Sequence, residues 1–215
     1  MNLTTAGVAT IIFELVVLLF SAVLHEIAHG YMAERLGDET ARRAGRLTLN
    51  PLVHLDPYGS ILMPILLLLA SGGSFFFAAA KPVPYNPDNL KDPRSGSAKI
   101  ALAGPATNFL LALVFGIAVR IGIVAGAPDQ FVGLLAMVVY INVILGIFNL
   151  IPIPPLDGSR VLFAALPQTP SMARIADSLE HWGFFVVLIF VLVGFQLLIP
   201  LINVLFALFT GQSLF

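Results

Sequence analysis

His25 and His29 stand four residues apart, with Glu26 beside the first, in the run His25-Glu26-Ile27-Ala28-His29. In a helix that spacing puts both imidazoles on one face, about 6 Å apart along the axis. Their ring nitrogens can then converge on one Zn²⁺, with Glu26 alongside to handle the proton of a water molecule. A catalytic zinc takes three protein ligands and leaves a fourth position open. Asp157 is the candidate for the third, at the end of Asn149-Leu150-Ile151-Pro152-Ile153-Pro154-Pro155-Leu156-Asp157-Gly158, where prolines break a helix and expose backbone groups. Asn149, eight residues earlier, can donate a hydrogen bond to an oxyanion. The chain has no cysteine, so any metal must be held by histidine and carboxylate.

Each of these residue types also has a plainer use. Asp157 taken alone reads as a turn or N-cap carboxylate before a helix starting near Ser159. His54 lies in the turn-rich stretch Asn50–Gly59 and reads as a structural or interfacial histidine in preference to a fourth ligand. His181, between Glu180 and Trp182, reads as an interfacial anchor. Glu14 precedes His25 by eleven residues and shares its helix face; a packing hydrogen bond is the preferred reading over a catalytic role. Gly104 and Asn108 read as packing devices, since small residues let membrane helices approach and Asn bonds across them.

The elements that must position these groups are apolar. The chain has 215 residues, 58% hydrophobic and 11% charged, and several runs approach the ~20 residues a helix needs to cross a bilayer. A net charge of −1 and the lack of a basic run give no reason to expect nucleic acid. Segment A, about 6–36, carries the histidines where its apolar part gives way to polar residues. No Lys or Arg precedes it, so it reads as a permanent helix and not a signal peptide. A charged connector follows, in which the alternation of Gly45–Leu49 permits a short strand. Segment B, 61–80, is interrupted by Pro64 and by Ser71-Gly72-Gly73-Ser74. Segments C (98–125) and D (131–150) are spans, and segment E (183–209) is expected to kink or break at Pro200.

Topology follows from parity. If the Asp157 end of D meets the His25–His29 end of A, an even number of crossings separates them. Segments C and D supply two, so B must enter and return. That places ten of the eleven basic residues on one face and leaves Arg120 near the other, which by the positive-inside rule makes the histidine face cytoplasmic.

The motifs HEIAHG, AGPATN and NLIPIPPLDG, in this order, resemble the site-2 protease family of intramembrane zinc metalloproteases. The resemblance covers most of residues 6–160 and matches every letter of HExxH and NxxPxPxLDG. It implies that His25, His29 and Asp157 bind zinc, that Glu26 is the catalytic acid and base, and that Asn149 assists. It also implies that the substrate is a transmembrane protein, cut in or near its membrane segment. Asn50–Gly59 and Lys81–Pro84 resemble the family's membrane-associated strand region thought to meet substrate. No stretch is long enough for a PDZ domain or C-terminal CBS domains, so substrate choice is expected to rest on the membrane region, the short loops or a separate regulatory partner.

The expectation is an all-α polytopic protein in the cell membrane, one domain over 1–215 with a C-terminal helical region at 183–209. It should have about five transmembrane helices, a re-entrant segment and room for a small β element. Two other classes fit parts of the pattern. A transporter would use Glu14, Asp157 and the broken helices as an ion path, but should show two similar halves, and none are evident. A non-enzymatic scaffold would close its zinc with four protein ligands, and the chain offers three convincing ones.

Overall fold

The computed structural model describes residues 5–56 and 81–213, and every regular element among them is helical. Helix α1 (Thr5–Arg35) is followed by the short α2 (Thr40–Arg43) and 3₁₀ turns at Pro51–His54 and Pro87–Asn89. Helix α3 (Pro93–Val124) starts where Asp92 accepts from the backbone N–H groups of Arg94 and Ser95, with Pro93 in the first turn. There the ring costs nothing, because that N–H has no intrahelical partner. Helix α4 (Asp129–Asn149) runs back, and the irregular Ile151–Leu156 leads into α5 (Asp157–Ala165). The chain ends in α6 (Pro170–Ile189) and α7 (Ile199–Thr210).

Four stretches are long and apolar enough to cross a membrane: Gly7–Arg35, Pro93–Val124, Asp129–Asn149 and Pro170–Thr210. The last begins at Pro170 and not near Gly183, because Thr169 caps it through Met172 N–H and Pro170 sets its first turn. It is interrupted as expected, by a π turn at Phe190–Gly194 and a 3₁₀ turn at Phe195–Leu198, immediately before Pro200. Gly45–Leu49 does not form a strand. Gly45 takes φ +66° after α2, and the residues beyond it bend. The expected re-entry of segment B lies outside the described residues.

Helix α3 packs against α1, α4, α5 and α7. Its Ala112 and Val119 meet Val139, Val143 and Ile147 of α4 and Ile202 and Phe206 of α7 in one buried cluster. Two arginines close helix ends onto α3. Arg94 donates to the carbonyls of Ala164 (2.5 Å) and Leu166 (2.6 Å), fixing the end of the helix that begins at Asp157. At the opposite end of α3, Arg120 donates to Leu208 (2.6 Å) and Phe209 (2.8 Å), satisfying carbonyls that the last turn of α7 leaves free.

Asp38 ties the connectors to α1. Its carboxylate, with no exposed surface, accepts from the Thr40 hydroxyl (2.5 Å) and N–H (3.2 Å), Asn86 N–H (2.8 Å) and Asn89 Nδ2 (2.6 Å). Burial pushes its pKa up, but these donors outweigh that and hold it below the ordinary 3.8. A depressed folded-state value means stability present above the unfolded value and lost as pH falls through the folded one. Asp38→Ala is expected to cost about 1–3 kcal/mol at neutral pH. In thermal unfolding of the detergent-solubilised protein, the gap between variant and wild type should narrow as pH drops below 3.8.

Candidate metal centre

His25 and His29 sit on the buried face of α1 at 7% and 9% exposure, their rings edge to face with centroids 4.6 Å apart. Asp157, first residue of α5, brings Oδ2 to 3.0 Å from His25 Nε2 and 3.2 Å from His29 Nε2. One ligand atom from each of the three lies within 4.8 Å of the others. Two glycines permit this convergence. A Cβ on Gly104 of α3 would stand 2.5 Å from both Nε2 atoms, and one on Gly158 would stand 2.2 Å from the Leu150 carbonyl oxygen. Any side chain at Gly104 would fill the space in front of the histidines. One at Gly158 would push α5 off the end of α4.

The donor set fits a divalent metal. His29 Nδ1 lies 2.6 Å from the Ile100 carbonyl, which can only accept, so Nδ1 carries the proton and the Nε2 lone pair is left for the cluster. His25 Nδ1 likewise faces an oxygen, Asn108 Oδ1 at 2.6 Å. Burial pushes the Asp157 carboxyl up, but its hydrogen bonds and charge interactions with the two histidines pull it down further, to about 2. Three electron-pair donors therefore point at one another. Protonating both rings would set two cations 4.6 Å apart, a repulsion of roughly 4 kcal/mol at an effective dielectric near 20. One shared cation satisfies all three donors without that repulsion. The outer contacts at Nδ1 are those that orient metal-binding histidines and fix their tautomer.

Glu26 points elsewhere. One residue on from His25, it is rotated by about 100° around the helix, and its Oε2 accepts from Val83 N–H at 2.8 Å. Val83 lies between two prolines that have no N–H, in a connector held by Arg46, which donates to the carbonyls of Lys81 (2.6 Å) and Pro82 (3.3 Å). Asn149, near the end of α4, donates to the Leu145 carbonyl at 2.9 Å, a contact within its own helix. His54 is buried at 1% exposure, with Nε2 2.9 Å from the Thr48 carbonyl, and is not part of the cluster. His181 is exposed against Trp182. Glu14 lines a separate apolar cavity of about 570 Å³ between α1, α4 and α7.

Asn108 is the residue whose part in the site was not legible beforehand. A polar side chain in an apolar helix announces a hydrogen bond across helices. Its partner, 83 positions away, is set only by packing. The Ile100 carbonyl and the Val83 N–H are backbone groups and leave no mark in residue type.

A polytopic helical chain that buries a His–His–carboxylate cluster at the end of a membrane helix has the makings of a membrane metalloenzyme. The family model for peptidase family M50 matches residues 13–125 and 117–193. YwhC of Bacillus subtilis (strain 168), named as a presumed zinc metalloprotease, is 35% identical over 203 residues, covering 89% of this chain and 86% of that one. Rip2 of Mycolicibacterium smegmatis, named in the same terms, is 33% identical over 175 residues, 80% of this chain and 63% of its own. A protein of Methanocaldococcus jannaschii named zinc metalloprotease MJ0392 is 29% identical over 183 residues, 84% of this chain and 42% of its own. No solved structure matches the chain. The chain belongs to peptidase family M50, the site-2 protease family.

Gly104→Ala is expected to weaken divalent-metal binding at least about tenfold, since it displaces oriented ligands. Gly133→Ala, where an added Cβ meets nothing within 4 Å, should bind as wild type does. Competition against a chromogenic chelator measures both.

Proposed function

We propose that this chain is an intramembrane zinc metalloprotease that hydrolyses a peptide bond in or near a transmembrane segment of another membrane protein. The observation that carries the reading is the convergence of one ligand atom each from His25, His29 and Asp157 within 4.8 Å. Membership of family M50 supports it. His25, His29 and Asp157 would hold the zinc. When bound, the metal supplies Lewis-acid polarisation of a water molecule and of the scissile carbonyl.

The chain's own groups do the rest. Glu26 takes a proton from the attacking water and delivers it to the leaving amine nitrogen. Val83 N–H holds one of its oxygens, leaving the other for that proton. Asn149 spends one amide hydrogen on the Leu145 carbonyl, and its second, with no partner among the described residues, would meet the substrate carbonyl oxygen as charge grows there. The Lys81–Tyr85 connector touches Glu26 through Val83 N–H, and this reading puts it beside the substrate path. The concentration of Lys and Arg at the histidine end supports a cytoplasmic orientation for the site.

Glu26→Gln keeps the side chain's size and removes its proton affinity. Zinc content by metal analysis should stay near the wild-type ratio, while cleavage of a model transmembrane substrate falls by about 10³-fold or more. Full cleavage by this variant would sink the mechanism. Orientation is checked with single cysteines in this cysteine-free chain. An impermeant maleimide should label Ala127→Cys in intact cells and leave Lys91→Cys unlabelled until the membrane is opened; the reverse pattern would invert the topology.

A further inference from the structure

Asn142 of α4 hydrogen-bonds to Asn108, Ser21 and Val138 and to none of the three cluster residues. It has no exposed surface, and neither has Asn108. Its Nδ2 donates to the Val138 carbonyl (2.9 Å) and to Ser21 Oγ (3.0 Å). Asn108 Nδ2 donates to Asn142 Oδ1 (3.0 Å), and Asn108 Oδ1 faces His25 Nδ1 (2.6 Å).

The direction of this chain of bonds is fixed at one end. The Val138 carbonyl can only accept, so the Asn142 atom facing it must be the NH₂, and the opposite atom must be the oxygen. An oxygen at that place admits only the NH₂ of Asn108. The remaining Asn108 atom is then its oxygen, and the histidine nitrogen opposite it must carry a hydrogen. With Nδ1 protonated, neutral His25 has its lone pair on Nε2, the atom 3.0 Å from Asp157. We infer that Asn142 is a positioning residue that sets the tautomer of His25 through Asn108, so that the Nε2 lone pair faces the metal. His29 needs no such relay, because its Nδ1 meets a backbone carbonyl directly.

The bland alternative is a polar staple. Ser21, Asn142, Asn108 and His25 join α1, α4, α3 and α1 again, and such a ring would hold three helices together whatever its polarity. The two roles separate under mutation. Asn142→Leu removes the acceptor that orients Asn108, whose amide can then turn and present NH₂ to Nδ1. That places the His25 hydrogen on Nε2, where it blocks the ligand position. Adding Asn108→Asp restores an acceptor that needs no orienting, since both carboxylate oxygens accept from Nδ1–H. Ser21→Ala removes the staple to α1 but leaves Val138 to fix Asn142.

The inference rests on the zinc reading above, and the test keeps the two apart. Zinc affinity of the metal-stripped, detergent-solubilised protein is measured by chelator competition, with thermal unfolding of the same samples as the control for fold. Asn142→Leu should bind zinc at least about tenfold more weakly, with Asn108→Asp/Asn142→Leu and Ser21→Ala both within about threefold of wild type. Wild-type affinity in Asn142→Leu, or a double variant as weak as the single one, would overturn the relay. If Asn142→Leu does not fold, ¹⁵N NMR of the metal-free wild type decides the matter. The His25 resonances, identified by their loss in His25→Gln, should show hydrogen on Nδ1, and a bare Nδ1 would overturn the relay. Wild-type protein that takes up no zinc would overturn the metal reading along with it.

Discussion

The approach of the Asp157 carboxylate to two imidazole nitrogens is the constraint on which the rest of the structure depends. The three groups come from two segments 132 positions apart at their ends. Bringing them together requires the last turns of α1 and α4 to lie on one side of the membrane. It also requires α3 to pass close to the histidine Nε2 atoms, which is why Gly104 faces them with no side chain. Gly158 and the Arg94 contacts with Ala164 and Leu166 then set α5 so that its first residue faces the cluster. These placements serve the polar cluster.

Helices in hydrocarbon gain little from burying apolar side chains against one another, because lipid tails are equally apolar. Specific pairing has to come from close packing and from polar groups that must find partners. Ser21, Asn108 and Asn142 supply such groups to α1, α3 and α4, and all three side chains are hydrogen-bonded. The same bonds that choose helix neighbours also present oxygen to His25 Nδ1. Assembly of the bundle and preparation of the ligand thus draw on one set of contacts.

The residues of the cluster were legible because their chemistry is local in sequence. The four-residue spacing of the histidines is a helix property, and the proline run before Asp157 marks where a helix must stop. That the two meet was the premise of the parity argument, and the observed contact between Asp157 and both histidines supplies that premise. Long apolar runs likewise made the spans evident, along with the interruption of the last one before Pro200. Its early start at Pro170 was hidden because residues 170–182 are mixed in polarity, so that hydropathy alone does not mark where the Thr169 cap begins the helix. The short strand at Gly45–Leu49 rested on alternation alone, which a left-handed glycine and the pull of Arg46 toward Lys81 defeat. Asn108 was read as a cross-helix bonding residue, which it is, but no rule of spacing names a partner 83 residues away.

Within the site, the candidate ligands and the proposed base are held by different means. His25, His29 and Asp157 stand on helices and are braced by buried partners, so their geometry is set by the bundle. Glu26 shares α1 with the histidines, yet its carboxylate is held by a connector, through the single N–H that lies between Pro82 and Pro84. That connector is anchored by Arg46 and by the His54 carbonyl, which accepts from Lys81 N–H at 2.8 Å. Elements of regular structure hold functional groups more tightly than loops do. The hydrolysis proposed above would draw on this division: the ligands would need one fixed arrangement, whereas Glu26 as base would face the water in one step and the leaving nitrogen in the next. Fixing Glu26 as firmly as the histidines would leave it well placed for only one of the two transfers.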